Sequence, residues 1–323
     1  MSHATVDGNK RATIARMLLS PQDVLKKGFR FFNGLPNDFP GPWTERRTND
    51  FKSHYGSSHI VLANQWYDLM TTELKNVGLT EADKLDKGFK MFLIAHHFLS
   101  AYPKNAKILG SAFSVCERLV QGDNLWRWVR MIAALKAIKI IWREEEYNNP
   151  HGRIFIISVD GTDFKVWEKK HPAMPIDKGQ YSHKFNHGAL KYEIAIDVYE
   201  SKVVWTSGPH RAGMHDKTVY VEMGLRNKIP HGKKVITDRV YGSQAEPEHH
   251  IKLALPNPSD NKELANFKAR VRARHESFNG RLKFYKSLSD TYHHRADNHV
   301  HVFEAVCVTV LYQMDNGAKL FAA

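Results

Sequence analysis

The chain runs to 323 residues, 42% of them hydrophobic, and its 47 lysines and arginines outnumber 34 aspartates and glutamates to leave a net charge of +13. That length and apolar share fit about two globular domains, or one large one with an appendage, which excludes a core-less, disordered chain. The positive excess points to a polyanionic partner, nucleic acid before an acidic membrane surface, and no apolar run approaches the roughly 18 residues that a membrane-spanning helix requires.

The opening stretch MSHATVDGNKRATIARMLLS has no sustained apolar core before its charges recur, so it makes a poor secretory signal and an intracellular location is expected. In that setting Cys116 and Cys307, far apart and each in an apolar pattern, are expected to be reduced core residues. Residues 1–60 carry the punctuation NGLPNDFPGPW, Asn33 to Trp43, whose Pro and Gly density predicts an arm with little regular structure. From 61 to 147 the apolar spacing turns helical. DKGFKMFLIAHHFLSAYP is stopped by Pro103, and DNLWRWVRMIAALKAIKIIW opens at an N-cap, Asp123. Between them SAFSVCERLVQGDNLWRWV has the outline of a helix-turn-helix, which a plain helical bundle shares. Trp126 and Trp128 are read as packing residues rather than base-stacking platforms.

YNNPHGR, Tyr147 to Arg153, breaks the helical period and marks a boundary, with a second domain over 151–323. Residues 154–159 form an apolar, β-branched run expected as a strand buried on both faces. LKYEIAIDVYESKVVW alternates from Leu190 to Val198, turns at Glu200 and Ser201, and returns over Lys202 to Trp205, a hairpin with one wetter face. A helix over Lys217 to Asn227 capped by Asp216, a short strand KKVITD, an excursion around LPNPSD and a long helix from Asn261 to Lys286 complete the order.

Two apolar strands each run into an acid, Asp160 and Asp238. Ligands collect at the carboxyl ends of central strands in open α/β sheets, so side-by-side strands would bring these two acids together. Asp163, an odd number of residues further on, points to the other face. Close carboxylates repel one another and favour a divalent cation between them. In the last helix ARVRARHESFNGRLKFYK holds a single acid, Glu276, which shares a face with Arg272, Asn279 and Lys283. Taken alone, an exposed Arg272–Glu276 pair accounts for it. The histidines of YHHRADNHVH, His293, His294, His299 and His301, fit no common four-ligand zinc spacing, and packing is the favoured reading.

Together the segments SVDGTDF, YSHKFNHGALKYEIAI, VVWTSGPHRAGMHDKTVY, ITDRVYG and RARHESFNGRLKFYKSL resemble, in order and spacing, the DDE-superfamily endonuclease domain of PIF/Harbinger-like transposases. The resemblance covers about residues 154–317. It implies an α/β, RNase H-like catalytic domain, a mixed central sheet with flanking helices, preceded by an all-helical N-terminal region. Its three acids carry over to Asp160, Asp238 and Glu276. It also implies that His215 and Asp216 are active-site neighbours, where the residues themselves read as a turn and a helix cap. In this family a Gly precedes the Tyr of the second motif. Val240 stands there instead, and because a β-branched residue resists positive φ, the loop after Asp238 is expected to differ.

The activity so implied is a metal-dependent DNA endonuclease and strand transferase, in which Asp160, Asp238 and Glu276 hold two divalent cations, Mg²⁺ or Mn²⁺, across a phosphodiester. Arg272, Arg274, Arg281 and Lys283, flanking the third acid, are the expected phosphate contacts. The expected partners are DNA, as transposon ends and target, a Myb-like DNA-binding protein, and further copies of the chain on DNA, with nuclear location in a eukaryotic host. The alternative is a domesticated, catalytically silent protein that binds DNA or other proteins.

Overall fold

The computed structural model describes residues 18–32, 44–72, 86–167, 178–242 and 252–321. The chain divides into two compact units. The first comprises residues up to Ala137 with Phe284–Ser287 and His301–Ala318, and the second comprises Ile138–Lys283, Leu288–Val300 and Lys319–Ala323.

The first unit is helical: α1 Pro21–Phe31, α2 Glu45–Tyr55, α3 His59–Thr71, α4 Asp86–Ala101, α5 Ala106–Ala112 and α6 Gly122–Ala134. Helices α1 and α2 lie inside the segment expected to be irregular, whose Asn33–Trp43 punctuation falls outside the described residues. A signal for α1 was present in Ser20-Pro21-Gln22-Asp23. The Ser20 side chain accepts from the Asp23 N–H while the Asp23 carboxylate accepts from the Ser20 N–H, a reciprocal cap with proline at the first turn. The core is aromatic: Trp66 of α3 meets Phe89 of α4 edge-on at 4.9 Å and stacks on Trp128 of α6 at 6.1 Å. Trp126 and Trp128 are both buried, as packing residues should be. Asp123 is not the cap of α6; Gln121 takes that place, and Asp123 sits in the first turn, where its charge favours the helix dipole. The helix also stops at Ala134, with Leu135 as its C-cap, and a separate short helix follows over Lys136–Lys139. The two cysteines divide. Cys307 is buried, whereas Cys116 is exposed, on irregular backbone that follows Ser114 at φ 50°.

The second unit holds the sheet. After α7, Glu144–Tyr147, come β1 Phe155–Lys165, β2 Tyr181–Ser182, β3 His187–Asp197, β4 Val203–Arg211, α8 Asp216–Glu222, α9 Leu225–Lys228, β5 Lys234–Ile236, β6 Leu253–Ala254 and α10 Lys262–Lys283. A last helix, α11 His299–Asp315, contributes His299 and Val300 to this unit and the rest to the first. Strand β1 is central, with β3 antiparallel on one side and β5 parallel on the other. β4 continues antiparallel from β3, β6 parallel from β5, and β2 pairs with the start of β3. A helical N-terminal region followed by a mixed sheet with flanking helices is generally consistent with an RNase H-like architecture.

Both faces of the sheet are covered. Ile157, Val159, Ala195 and Val235 pack with Tyr220 of α8 and Leu225 of α9, while Val198, Ile236 and Ala254 pack with Val271 of α10. Strand β3 lacks the expected wetter face, being buried over almost its whole length, whereas β4 is partly exposed from Trp205 onward. The 217–227 helix is likewise two pieces, interrupted at Gly224, which takes φ 86°.

Candidate active site at the carboxyl end of the central strands

Parallel register decides which acids meet. β1 and β5 pair up to Ser158 opposite Ile236, so Asp160 and Asp238 each stand two residues past that last pair. Strand β1 does not end there, because its antiparallel pairing with β3 runs on to Lys165 opposite Ala189. Asp160 is thus held inside a strand on one side while its other side opens beyond the end of β5. Burial pushes its carboxyl up to about 6, helped by the charges of Asp216 and then Asp238, and opposed by the Gly161 N–H and by Lys184. Asp238 accepts from the Val240 N–H at 3.0 Å, which starts the 3₁₀ turn Arg239–Gly242. Val240 fits this turn without positive φ, so the loop needs no glycine at that position.

Gly161, the residue after the first acid, has a steric role. A Cβ there would lie 2.7 Å from Oδ1 of Asp216, so only glycine lets the Asp216 carboxylate approach β1 this closely. Asp216 is the first residue of α8 rather than its cap; His215 occupies the cap position and makes no capping bond with its side chain. Lys191 of β3 holds Asp216 by an ion pair of 2.6 Å and also donates to the Met214 carbonyl at 2.7 Å. Behind them Glu193 is buried and accepts from the Tyr241 hydroxyl at 3.2 Å, leaving Oε2 without a partner. Burial, with smaller contributions from Asp216 and Asp160, pushes Glu193 up to about 8 against the Tyr241 hydrogen bond. Asp163 plays a different part, accepting from Ser182 at 2.7 Å.

From the other face α10 presents two residues one turn apart. His275 Nε2 meets the Ser158 hydroxyl at 2.8 Å, and Asn279 donates to Asp160 Oδ2 at 3.3 Å. Glu276, between them in sequence, is exposed. Among the described residues no group of three or more His, Cys, Asp or Glu is placed to hold a metal ion. The structure therefore brings Asp160 and Asp238 together with Asp216, and leaves Glu276 outside that group. Asp160 and Asp238 are hard oxygen donors whose mutual repulsion a cation would relieve. The three-acid set for two cations does not fit the residues as placed.

The basic residues of α10 also separate. Arg274, expected at phosphate, is buried and gives its guanidinium to the carbonyls of Phe321, at 2.9 Å, and Val198, because the helix turns this residue inward. Arg281 is partly buried and donates to the Lys319 carbonyl at 3.0 Å. Arg272 is partly buried, with Nε unpartnered. Lys283 reaches towards the site, 5.9 Å from the Phe164 ring and 5.7 Å from that of Phe185. Of the four clustered histidines, His299 is buried beside β3 with Nδ1 at 2.8 Å from the Tyr192 hydroxyl. Sequence reasoning missed Lys191, Glu193 and Asn279. An acid within the apolar run KYEIAI was the available sign for Glu193, and the amide one turn after Glu276 was the sign for Asn279.

Residues 159–310 match the family model described as DDE superfamily endonuclease. That span contains Asp160, Asp216, Asp238, Glu276 and Asn279. Neither the curated proteins nor the solved structures contain a significant match to the chain.

Proposed function

We propose that this chain, which carries a DDE superfamily endonuclease domain over residues 159–310 and with it a suggestion of nuclease-type function, cuts nucleic-acid phosphodiester bonds at Asp160 and Asp238. One observation carries the reading. Two acids from strands paired in parallel stand at one level, and the more buried of them is held up to about 6 in part by the other's charge, which is the condition a cation-binding pair creates. Mg²⁺ or Mn²⁺ held there supplies Lewis acidity towards a phosphodiester oxygen.

The chain's own groups do the rest. Asn279 and the Gly161 N–H fix the Asp160 carboxylate by donating to it. The Lys191–Asp216 pair keeps α8 against β1. Lys184 and Lys283 bring positive charge to the side where a phosphate would lie. The fuller form of the reading, in which Glu276 is the third acid, two cations act and the cut end is joined to target DNA, requires Glu276 to enter the site when nucleic acid loads.

The placement of Glu276 in solvent favours a second reading, a protein that keeps the fold and binds DNA without cutting it. Nicking of supercoiled plasmid in Mg²⁺ or Mn²⁺ separates the two. Asp160→Asn and Asp238→Asn are each expected to lower the rate at least ~100-fold, since loss of a cation ligand removes several kcal/mol of transition-state stabilisation. Glu276→Gln lowers it equally if three acids act and leaves it unchanged if two suffice. Wild-type protein that never nicks in either metal refutes the nuclease reading and leaves the silent one.

A further inference from the structure

The two-residue strand β2 and the start of β3 form a hairpin whose tip brings Lys184 near Asp160. Tyr181 pairs with Gly188 and Ser182 with His187; the turn closes with the Phe185 N–H on the Ser182 carbonyl at 3.2 Å. Asn186 takes φ 50°, a conformation that asparagine tolerates better than most residues. The hydrogen bond from Ser182 to Asp163 ties this hairpin to β1. What the tip carries is Lys184 and Phe185.

Around Phe185 positive charge accumulates. The Lys165 ammonium, from the end of β1, lies 5.1 Å from its ring centroid, and that of Lys283, from the end of α10, lies 5.7 Å away. Lys184 is close enough to lower the pKa of Lys283, behind burial as the main cause, and to favour the charged form of Asp160. Among the described residues none of these three lysines closes an ion pair with a carboxylate. The acids that face the group are Asp160 and Asp163, and Asp163 is engaged by Ser182. An aromatic ring holds ammonium groups without cancelling their charge, which a carboxylate in its place would do. Like charges gathered this way stay available to an outside anion, and lysine meets phosphate as a point charge with no reading of base sequence.

We propose that Lys165, Lys184 and Lys283, arranged around Phe185, form a binding site for consecutive phosphates of a nucleic-acid backbone and lay the strand across Asp160. The proposal rests on the nucleic-acid reading above and adds Lys165 and Phe185 to Lys184 and Lys283 as one site. The site is independent of sequence and does not require that the chain cut.

The test measures binding of the full chain to a short fluorescent duplex, to the same sequence as single-stranded DNA and to its RNA form, in EDTA so that no cleavage occurs, over a series of salt concentrations. Each lost phosphate contact flattens the slope of log K against log salt by about 0.9 on duplex and about 0.7 on single strands. The Lys165→Gln/Lys184→Gln/Lys283→Gln variant is therefore expected to lose about two to three from the slope on the probe it serves. The exposed Lys184 changed alone to Gln is expected to lose about one, which keeps the test alive should the triple variant fail to fold. Phe185→Leu should weaken binding at low salt by spreading the lysines. The matched control removes three exposed lysines elsewhere, Lys107→Gln/Lys234→Gln/Lys262→Gln, and should leave the slope near that of the wild type.

A drop on all three probes, or on one that it thereby identifies as the preferred substrate, supports the site. A slope no flatter than the control's, or wild-type protein that binds none of the probes, overturns it. Nicking with a control-like slope sinks this site alone, whereas lysine-dependent binding without nicking sinks the nuclease reading alone.

Discussion

Two aspartates on neighbouring strands of one sheet face opposite fates. Asp197 lies at the end of β3 opposite Ile157, and Asp160 lies in β1 opposite Ile194, so a few residues of ladder separate them. Asp197 is buried and saturated: it accepts from the Tyr147 hydroxyl at 2.7 Å and from the N–H groups of Tyr199 and Glu200 at 2.8 and 2.7 Å, with Arg143 at 3.4 Å. Asp160 has a long bond from Asn279 and the N–H of its neighbour, and looks onto two further acids. Burial of a carboxylate therefore does not mark a site. What marks it is burial with too few donors and too many like charges, because such a group is left wanting a cation.

The largest effect on stability should come from the saturated end. Asp197→Ala takes the acceptor from the buried Tyr147 hydroxyl, from two turn N–H groups and from part of the Arg143 guanidinium, and is expected to cost about 3–5 kcal/mol. Asp160→Asn removes a repulsion and should leave the urea midpoint unchanged or raised. Equal losses from the two substitutions would erase the contrast. The next effect is one of pH. Glu193 is raised from 4.5 to about 8, so the native state binds more protons than the unfolded chain between those values and stability falls as pH rises through that window. Asp160, raised from 3.8 to about 6, adds a fall of the same sign over the lower part of it. Glu193→Gln keeps an acceptor for Tyr241 and is expected to flatten the upper part of the profile, matching wild type near pH 4 and exceeding it above pH 8. A wild-type profile that rises between pH 5 and 8 contradicts this assignment. The smallest effect sharpens the comparison from behind Asp160. Gly161→Ala puts a methyl 2.7 Å from Asp216 Oδ1, and moving that carboxylate off Lys191 should cost about 1–3 kcal/mol, read as a lower melting midpoint.

How much of this was legible depended on whether the signal was local. The β1 run and the 86–101 helix with proline just beyond it were readable, since apolar period is written in consecutive residues. Glycine after Asp160 could be seen but not explained, because its reason is Asp216, more than fifty positions later. Arg274 looked like Arg272 in sequence, yet the helix turned one inward and left the other partly buried nearer solvent. The Ser20–Asp23 cap is as local a signal as any, yet the expectation for residues 1–60 rested on the Pro and Gly density of Asn33–Trp43 alone.

By itself the sequence determined the residue types: an excess of lysine and arginine, two apolar strands running into acids, and a segment set resembling one endonuclease family. Those follow from composition and short-range pattern, which need no knowledge of neighbours in space. Tertiary structure alone decided which acids share a field and which lysines do. A parallel register put Asp160 level with Asp238, the turn of α10 sent Asn279 rather than Glu276 to meet Asp160, and a hairpin folded Lys184 back beside Lys283. The physical reason is that Coulomb interactions act over a few ångströms of space, and the distance along the chain does not enter them.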